Sequence, residues 1–478
     1  MAFTSLTFLI LLSLAFAWHW SFRGTRTRLA GLALANSAFY GWWDLRFLGL
    51  FIATTLVTHI LARVVSARRG TAVGPLALWL GVVLLFVPLL LLKYAGFGFG
   101  VVEELLSPGL ADFLREPIKS IVLPVGISFY TFQAAAYLVD VSRGTCPPAR
   151  SALEFYVFLS FFPQLVAGPI ERASDLLPQI QRMPEFDAAK AREGLREALW
   201  GCFRKIAVAD QLGLHVVNPV YRDLADAEPA LVVVATLAFA VQIYADFSAY
   251  SMIARGVSRL FGIELMRNFR QPYLANSLQD FWRRWHVSLS TWFRDYVFIP
   301  LGGSRRGRLR TDINLFVTFM ASGLWHGANW TFIAWGALHG AAIAIEGRVF
   351  GGRHDAGLGR AACVLRWSCM AIVVMVGWAL FRARSIGEFL AAGRRLPSLM
   401  EFGPQFSAVR EFARGTDDVW LLLGCVAAVL AHDVAIEHGW RPLDRVPRAI
   451  RWGGYIAMTL FILSVGREAL SDFIYFQF

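Results

Sequence analysis

The stretch INLFVTFMASGLWHGANWTFIAWGALHGAAIAI, residues 313–345, holds no charged side chain between Asp312 and Glu346. A bilayer-spanning helix needs about 20 mostly apolar residues. This run therefore reads as two membrane-depth segments, Ile313–Trp325 and Gly327–Ile345, around Gly323-Leu-Trp-His-Gly-Ala-Asn329. An ionisable side chain at that depth is costly and marks a functional position by default. His326 is that side chain. Imidazole serves as a base near neutral pH, and Gly327 beside it permits close approach of a backbone or a substrate. A structural histidine bonded to a neighbouring helix is the other reading. His339, four residues after Trp335, is the competing candidate in the same run.

The rest of the chain has the same character. Of 478 residues, 56% are apolar types and 17% are charged, and the mean hydropathy is +0.51. A soluble domain carries about 45–50% apolar and about 25% charged residues. Further uncharged stretches are Ala72–Leu92, Ile121–Val139, Phe155–Ile170, Ala230–Ala245, Trp367–Phe381, Trp420–Ala431 and Trp452–Gly466. Together they predict an all-α polytopic membrane protein of roughly 10–12 spans. One membrane domain, residues 1–478, would use the whole chain. Within it, 267–310 reads as an amphipathic segment at the cytoplasmic face, and 382–418 as a long polar loop.

The net charge of +12 comes mostly from arginine, since only Lys93, Lys119, Lys190 and Lys205 are lysines. Arg23/Arg26/Arg28, Arg63/Arg68/Arg69 and Arg143/Arg150 fall between apolar stretches, as cytoplasmic connections do. Leu29–Trp43 and Phe47–Ala62 would then cross out and back, with Trp42 and Trp43 at the headgroup level. The apolar run Phe8–Trp18 precedes its positive cluster, which predicts an uncleaved helix rather than a signal peptide. No nucleic-acid-binding pattern is present. The five cysteines form no Cys-x-x-Cys pair, and there is no H-E-x-x-H, so no metal site is expected. Phosphate-binding and G-x-S-x-G motifs are missing as well.

Two further regions carry candidate chemistry. In Asp280-Phe-Trp-Arg-Arg-Trp-His-Val-Ser-Leu-Ser290, a continuous helix would place Trp282, Arg283, His286 and Ser290 on one face. Such a face suits an anionic or phosphate-bearing ligand, or equally lipid headgroups. Asp246, in Gln242-Ile-Tyr-Ala-Asp-Phe-Ser248, should pair with an arginine or orient a histidine; a purely structural ion pair is the plainer reading. The six remaining histidines, at 19, 59, 215, 354, 432 and 438, read as interfacial or solvated.

These motifs, in this order, resemble the membrane-bound O-acyltransferase superfamily, and most closely its bacterial alginate O-acetylation branch. The resemblance runs through Phe39-Tyr-Gly-Trp-Trp-Asp44, Leu123-Pro-Val-Gly-Ile-Ser-Phe-Tyr-Thr-Phe132 and Phe162-Pro-Gln-Leu-Val-Ala-Gly-Pro-Ile170. It continues in Gln242–Ser248, Asp280–Ser290, Arg294–Gly303, Leu324–Asn329 and the tail Phe473-Ile-Tyr-Phe-Gln-Phe478. The sequence departs from the family's Asp-Phe-Ser-Gly-Tyr-Ser-Asp at Ala249 and Met252.

The resemblance implies a ring of helices around a transmembrane tunnel. It matches the family's invariant histidine to His326 and its second catalytic-region position to His286, on the donor side. It implies donor binding by Arg283, Arg284, Arg294 and Ser290, and tunnel or supporting roles for Trp325, Asn329, Asp246 and Trp282. The expected activity is transfer of an acetyl or other small acyl group toward an exported or cell-surface polysaccharide. The donor would be acetyl-CoA or an acyl-carrier thioester, with no tightly bound cofactor. A periplasmic acetyltransferase partner, membrane lipid and a location in the bacterial inner membrane are further expectations. D-alanyl transfer to teichoic acid by the same fold is one alternative. A transporter or flippase of a lipid-linked sugar is another.

Overall fold

The computed structural model describes residues 1, 3–165, 168–350, 359–416, 418–440 and 446–466. Among them the regular elements are all helices. Five are long and apolar enough to cross a membrane: Leu45–Ala67, Val73–Val102, Pro229–Leu260, Arg360–Arg382 and Val419–Glu437. The protein is an all-helical, multi-pass membrane protein. The larger expected number of spans is not reached by length and apolarity among the described residues. Phe155–Ile170 explains part of the difference. Its helices Ala152–Ser160 and Phe162–Leu165 are short, and Phe155, Phe158, Phe161 and Phe162 are fully buried within the protein. The tail Phe473–Phe478 lies outside the described residues, as do Val166 and Ala167.

The chain forms two compact units. The first comprises residues 1–198 and 250–267. Ser5 starts its first helix, Leu6–Ser21, by accepting the Phe8 N–H (3.2 Å). Thr25–Gly41 and Leu45–Ala67 follow, with the Asp44 carboxylate accepting the Arg46 N–H (2.8 Å) at the second start. Side-chain caps of this kind satisfy the otherwise unpaired first amides of a helix. Ile121–Val139 was expected as one span, but its helix begins only at Ile127 and runs to Arg143. The cause is Gly126, held at φ +73°, where a Cβ would lie 2.8 Å from the Leu165 carbonyl oxygen. Only glycine takes that conformation at that approach without strain.

The second unit comprises residues 199–249 and 268–478. It holds every sequence-nominated site residue. Its Arg308–His326 and Trp330–Val349 helices form the hairpin read from residues 313–345. The Asn329 side chain caps the second of them by accepting the Thr331 N–H (3.1 Å). Residues 382–418, read from the sequence as a loop, instead contain the helices Ile386–Arg395 and Phe402–Gly415. A reciprocal cap explains the first: Ser385 Oγ accepts the Glu388 N–H (3.1 Å), and the Glu388 carboxylate accepts the Arg384 N–H (3.3 Å). Composition hid this, because an amphipathic helix is as polar as a loop when read without its period.

Candidate active site

The continuous helix expected across residues 280–290 is broken. Leu278–Arg284 ends before Trp285, and a new helix, Val287–Phe293, starts after His286. His286 itself sits at φ +42°, a left-handed conformation that costs a non-glycine residue energy and persists only when its surroundings enforce it. Two backbone hydrogen bonds to an extended segment do so. The Arg270 N–H donates to the Arg284 carbonyl, and the Val287 N–H to the Asn268 carbonyl, both at 2.9 Å. The break separates residues that a helix would have aligned. His286 is fully buried while Arg283 is exposed. Trp282 packs against Trp335 and His339 instead, with ring centroids 5.5 and 5.1 Å away. Ser290, half-buried, donates its hydroxyl to the Trp285 carbonyl (3.2 Å).

Asn268 sets the chemistry of His286. Its Oδ1 accepts the Ser288 backbone N–H (3.1 Å) and the Ser288 hydroxyl (2.9 Å), and lies 3.2 Å from His286 Nδ1. A backbone N–H only donates, so that amide atom is the carbonyl oxygen and Nδ1 carries the proton. Nε2 therefore bears the imidazole lone pair. It is buried, with no protein hydrogen-bond partner among the described residues. Burial also lowers the pKa of His286 to about 3, keeping the ring neutral. Phe247 meets the ring edge-on at 4.6 Å. Trp285, next in sequence, is wedged among Trp378, Phe269 and Phe281 at 4.8, 5.1 and 5.7 Å.

His326 is the last residue of its helix and is 5% exposed. Its ring contacts Trp325, Trp335 and Phe381 at 5.0, 5.0 and 5.2 Å. Trp325 is also 6.1 Å from His286, so one indole touches both nominated histidines. Gly327 was expected to admit a backbone or substrate; the close neighbour is Phe332, whose ring would lie 2.1 Å from an added Cβ. His339 is buried against Trp335 (4.7 Å), and its Nε2 would lie 2.6 Å from a Cβ on Gly377. That is the packing of a helix-to-helix contact.

The arginines do not converge on one point. Arg284 pairs with Asp280 (2.8 Å) and Glu437 (2.6 Å), and Arg294 with Asp295 (2.8 Å). Arg283 has no carboxylate within ion-pair distance among the described residues. Asn329 donates to the Arg384 carbonyl (2.9 Å), which ties the turn after His326 to the segment following Arg360–Arg382.

Asp246 takes the structural ion pair, with a lysine as its partner. Its carboxylate lies 2.9 Å from Lys205 Nζ, which is also 2.8 Å from Asp210, all three side chains being buried. Lys205 belongs to a π-helical turn, Arg204–Ala209, a distortion common near functional sites. The adjacent Arg204 pairs with Asp433 and donates to Ser248 (3.1 Å). Tyr244 donates to Asp433 as well (2.7 Å). Thus in Asp246-Phe247-Ser248 the flanking residues are anchored by Lys205 and Arg204, and the central ring supports His286.

Asn268, Ser288 and Lys205 escaped the sequence reading. The clue to Lys205 was its rarity, a lysine in a chain that uses arginine almost everywhere. Nothing local marked Asn268. Asn268→Ala should lower kcat by roughly tenfold to a hundredfold with KM little changed, because a small misplacement of a reacting group is that costly. Asn268→Asp, which keeps the acceptor, should retain more of the rate. An unchanged kcat in the Ala variant would show that Asn268 does not orient His286.

Residues 149–383 match the membrane-bound O-acyltransferase family. The chain is 39% identical to a probable alginate O-acetylase AlgI of Azotobacter vinelandii, over 94% of this chain and 88% of that protein. It is 31% identical to a peptidoglycan O-acetyltransferase of Helicobacter pylori, over 75% and 72% of the two chains. A teichoic acid D-alanyltransferase of Streptococcus thermophilus is 29% identical over 48% of this chain and 58% of that one. With its buried histidines on one indole and a relative matched along nearly its whole length, the chain belongs to the membrane-bound O-acyltransferase family, in the branch of the alginate O-acetylases, and is an acyltransferase of the membrane.

Proposed function

We propose that this protein moves an acetyl group from a cytoplasmic thioester donor toward an exported or cell-surface polysaccharide, from the bacterial inner membrane. The observation that carries the reading is the pair of buried histidines, His286 and His326, both packed against Trp325. The O-acetylating relatives match more of the chain than the D-alanylating one does, which favours acetyl over D-alanyl.

In this mechanism the donor is acetyl-CoA or an acyl-carrier thioester. Arg283, exposed and with no carboxylate at ion-pair distance among the described residues, meets its phosphates, whereas Arg284 and Arg294 are held by Asp280, Glu437 and Asp295. His326 takes the proton of the attacking hydroxyl, that of a relay acceptor from which the periplasmic partner later passes the acetyl group to a polymer hydroxyl, as the relay oxygen bonds to the thioester carbon. The C–S bond then breaks and the thiolate leaves, taking up a proton. His286 faces the thioester and positions it. Its Nε2 lone pair accepts rather than donates, so in the neutral tautomer that the Asn268 contact implies it is not an oxyanion donor. The aromatic walls keep water from the thioester. Trp325 contacts both imidazoles, and Trp282 backs the Trp335 ring that meets His326. Asp246 anchors the helix that carries Phe247 to His286, and Asn329 fixes the turn after His326. A periplasmic acetyltransferase partner completes delivery to the polymer.

The test uses membranes carrying the full chain, acetyl-labelled acetyl-CoA or acyl-carrier thioester, and polysaccharide with or without the partner. Label should appear in the polymer and depend on this protein. If neither donor labels any acceptor while the protein is folded and inserted, the acetyl reading fails. Arg283→Glu should raise the donor KM by about tenfold, the worth of one charge-assisted hydrogen bond. An unchanged KM would remove Arg283 from the donor site.

A further inference from the structure

An open surface pocket in the first unit, remote in sequence from both histidines, is lined by Arg63, Ser66, Ala67, Pro148, Ala149 and Arg150, with a volume of about 290 Å³; the two arginines are exposed. It lies between the end of the Leu45–Ala67 helix and the connection after Ile127–Arg143. Both connections carry the arginines that mark the cytoplasmic face.

Its chemistry is one-sided. Pro148 has no N–H. The Ala149 N–H is taken by the Tyr137 hydroxyl (2.9 Å), and the Arg150 N–H by the Glu154 carboxylate (3.2 Å). Glu154 accepts the Gln181 amide (2.9 Å) as well, and Ser151 caps the helix that follows by accepting the Glu154 N–H (3.2 Å). The donors left to the pocket are the Arg63 and Arg150 guanidinium groups and the Ser66 hydroxyl. Among the described residues, no carboxylate stands within ion-pair distance of either guanidinium. Ala67, Pro148 and Ala149 supply the apolar wall.

Two unneutralised arginines with a hydroxyl between apolar walls match a phosphate group attached to something apolar. Guanidinium recognises phosphate through paired N–H donors. We infer that Arg63, Arg150 and Ser66 form a phosphate-binding site at the cytoplasmic face, separate from the acyl-transfer site, that holds the headgroup of an anionic phospholipid. An inorganic phosphate offers the same oxygens, so the experiment compares the two sources.

The full-length protein is purified and probed by native mass spectrometry after exchange into phosphatidylglycerol or phosphatidylcholine, and separately with inorganic phosphate alone. A charge-assisted guanidinium–phosphate hydrogen bond is worth about tenfold in binding, beyond what any basic group gains near an anionic surface. Retention of phosphatidylglycerol should therefore fall about a hundredfold in the Arg63→Gln/Arg150→Gln variant. A charge-matched Arg23→Gln/Arg26→Gln variant, altered at exposed arginines elsewhere on that face, should fall much less. Size-exclusion chromatography checks that each variant is intact. Loss confined to the pocket variant with phosphatidylglycerol supports the lipid source. The same loss with inorganic phosphate alone supports the site with a soluble ligand. Equal loss in both variants, or none in the pocket variant, overturns the proposal. If Arg63→Gln/Arg150→Gln does not fold, Arg63→Lys/Arg150→Lys replaces it; lysine keeps the charge without the paired donors, and unchanged retention there would also overturn it.

Discussion

His326→Ala is expected to lower acyl transfer by roughly 10²- to 10⁴-fold, the contribution of a positioned acid–base group. The effect should fall on kcat, since the imidazole acts on the reacting hydroxyl and not on the bulk of either substrate. Removing a ring that contacts Trp325, Trp335 and Phe381 also leaves a cavity, so a poorly folded protein would imitate a catalytic loss. His326→Gln separates the two. Glutamine keeps most of the volume and its hydrogen-bonding capacity, yet takes up no proton near neutral pH. Both variants should insert and express like the parent, and both should be slow. Label incorporated at the parental rate by either one, at matched protein level, would mean that His326 is not the base.

Lys205→Met should destabilise the protein by about 3–5 kcal/mol, because deleting one partner of a buried ion pair leaves uncompensated charge. Here one ammonium group faces Asp210 and Asp246 at 2.8 and 2.9 Å. The change should show as a lower Tm in detergent and reduced yield from membranes. Adding Asp210→Asn and Asp246→Asn to the same chain should restore much of the loss, since the penalty comes from the stranded carboxylates. The triple variant should still transfer acyl groups slowly if the Lys205–Asp246 pair also sets the helix that carries Phe247 against His286. A single variant as stable as the parent would show that the pair contributes no net stability.

Parts of this site were plain in the sequence. His326 stood out because an ionisable residue amid uncharged sequence is rare enough to be informative alone. The basic character of 267–310 was equally plain. The alignment of Arg283 with His286 was not, because it rested on the assumption that the helix is continuous. A left-handed residue inside an apparently helical run has no signature when it is a histidine. Glycine or asparagine there would have warned of it. The polar segment 382–418 shows the converse: Ser385 and Glu388 have capping-box spacing, but an averaged composition conceals it.

The sequence alone determined that this chain folds in a membrane, and it nominated His326 and His286 as its candidate site. Those properties follow from how many apolar residues run together and from which groups are costly at membrane depth, and both are local. Only the tertiary structure decided what each imidazole faces. Asn268 selects the His286 tautomer from 18 residues away, and Trp325 is shared by His286 and His326. Lys205 claims Asp246 from another helix. Hydrogen-bond and ion-pair partners are set by approach in space, and that approach depends on where helices break and how closely their backbones pack.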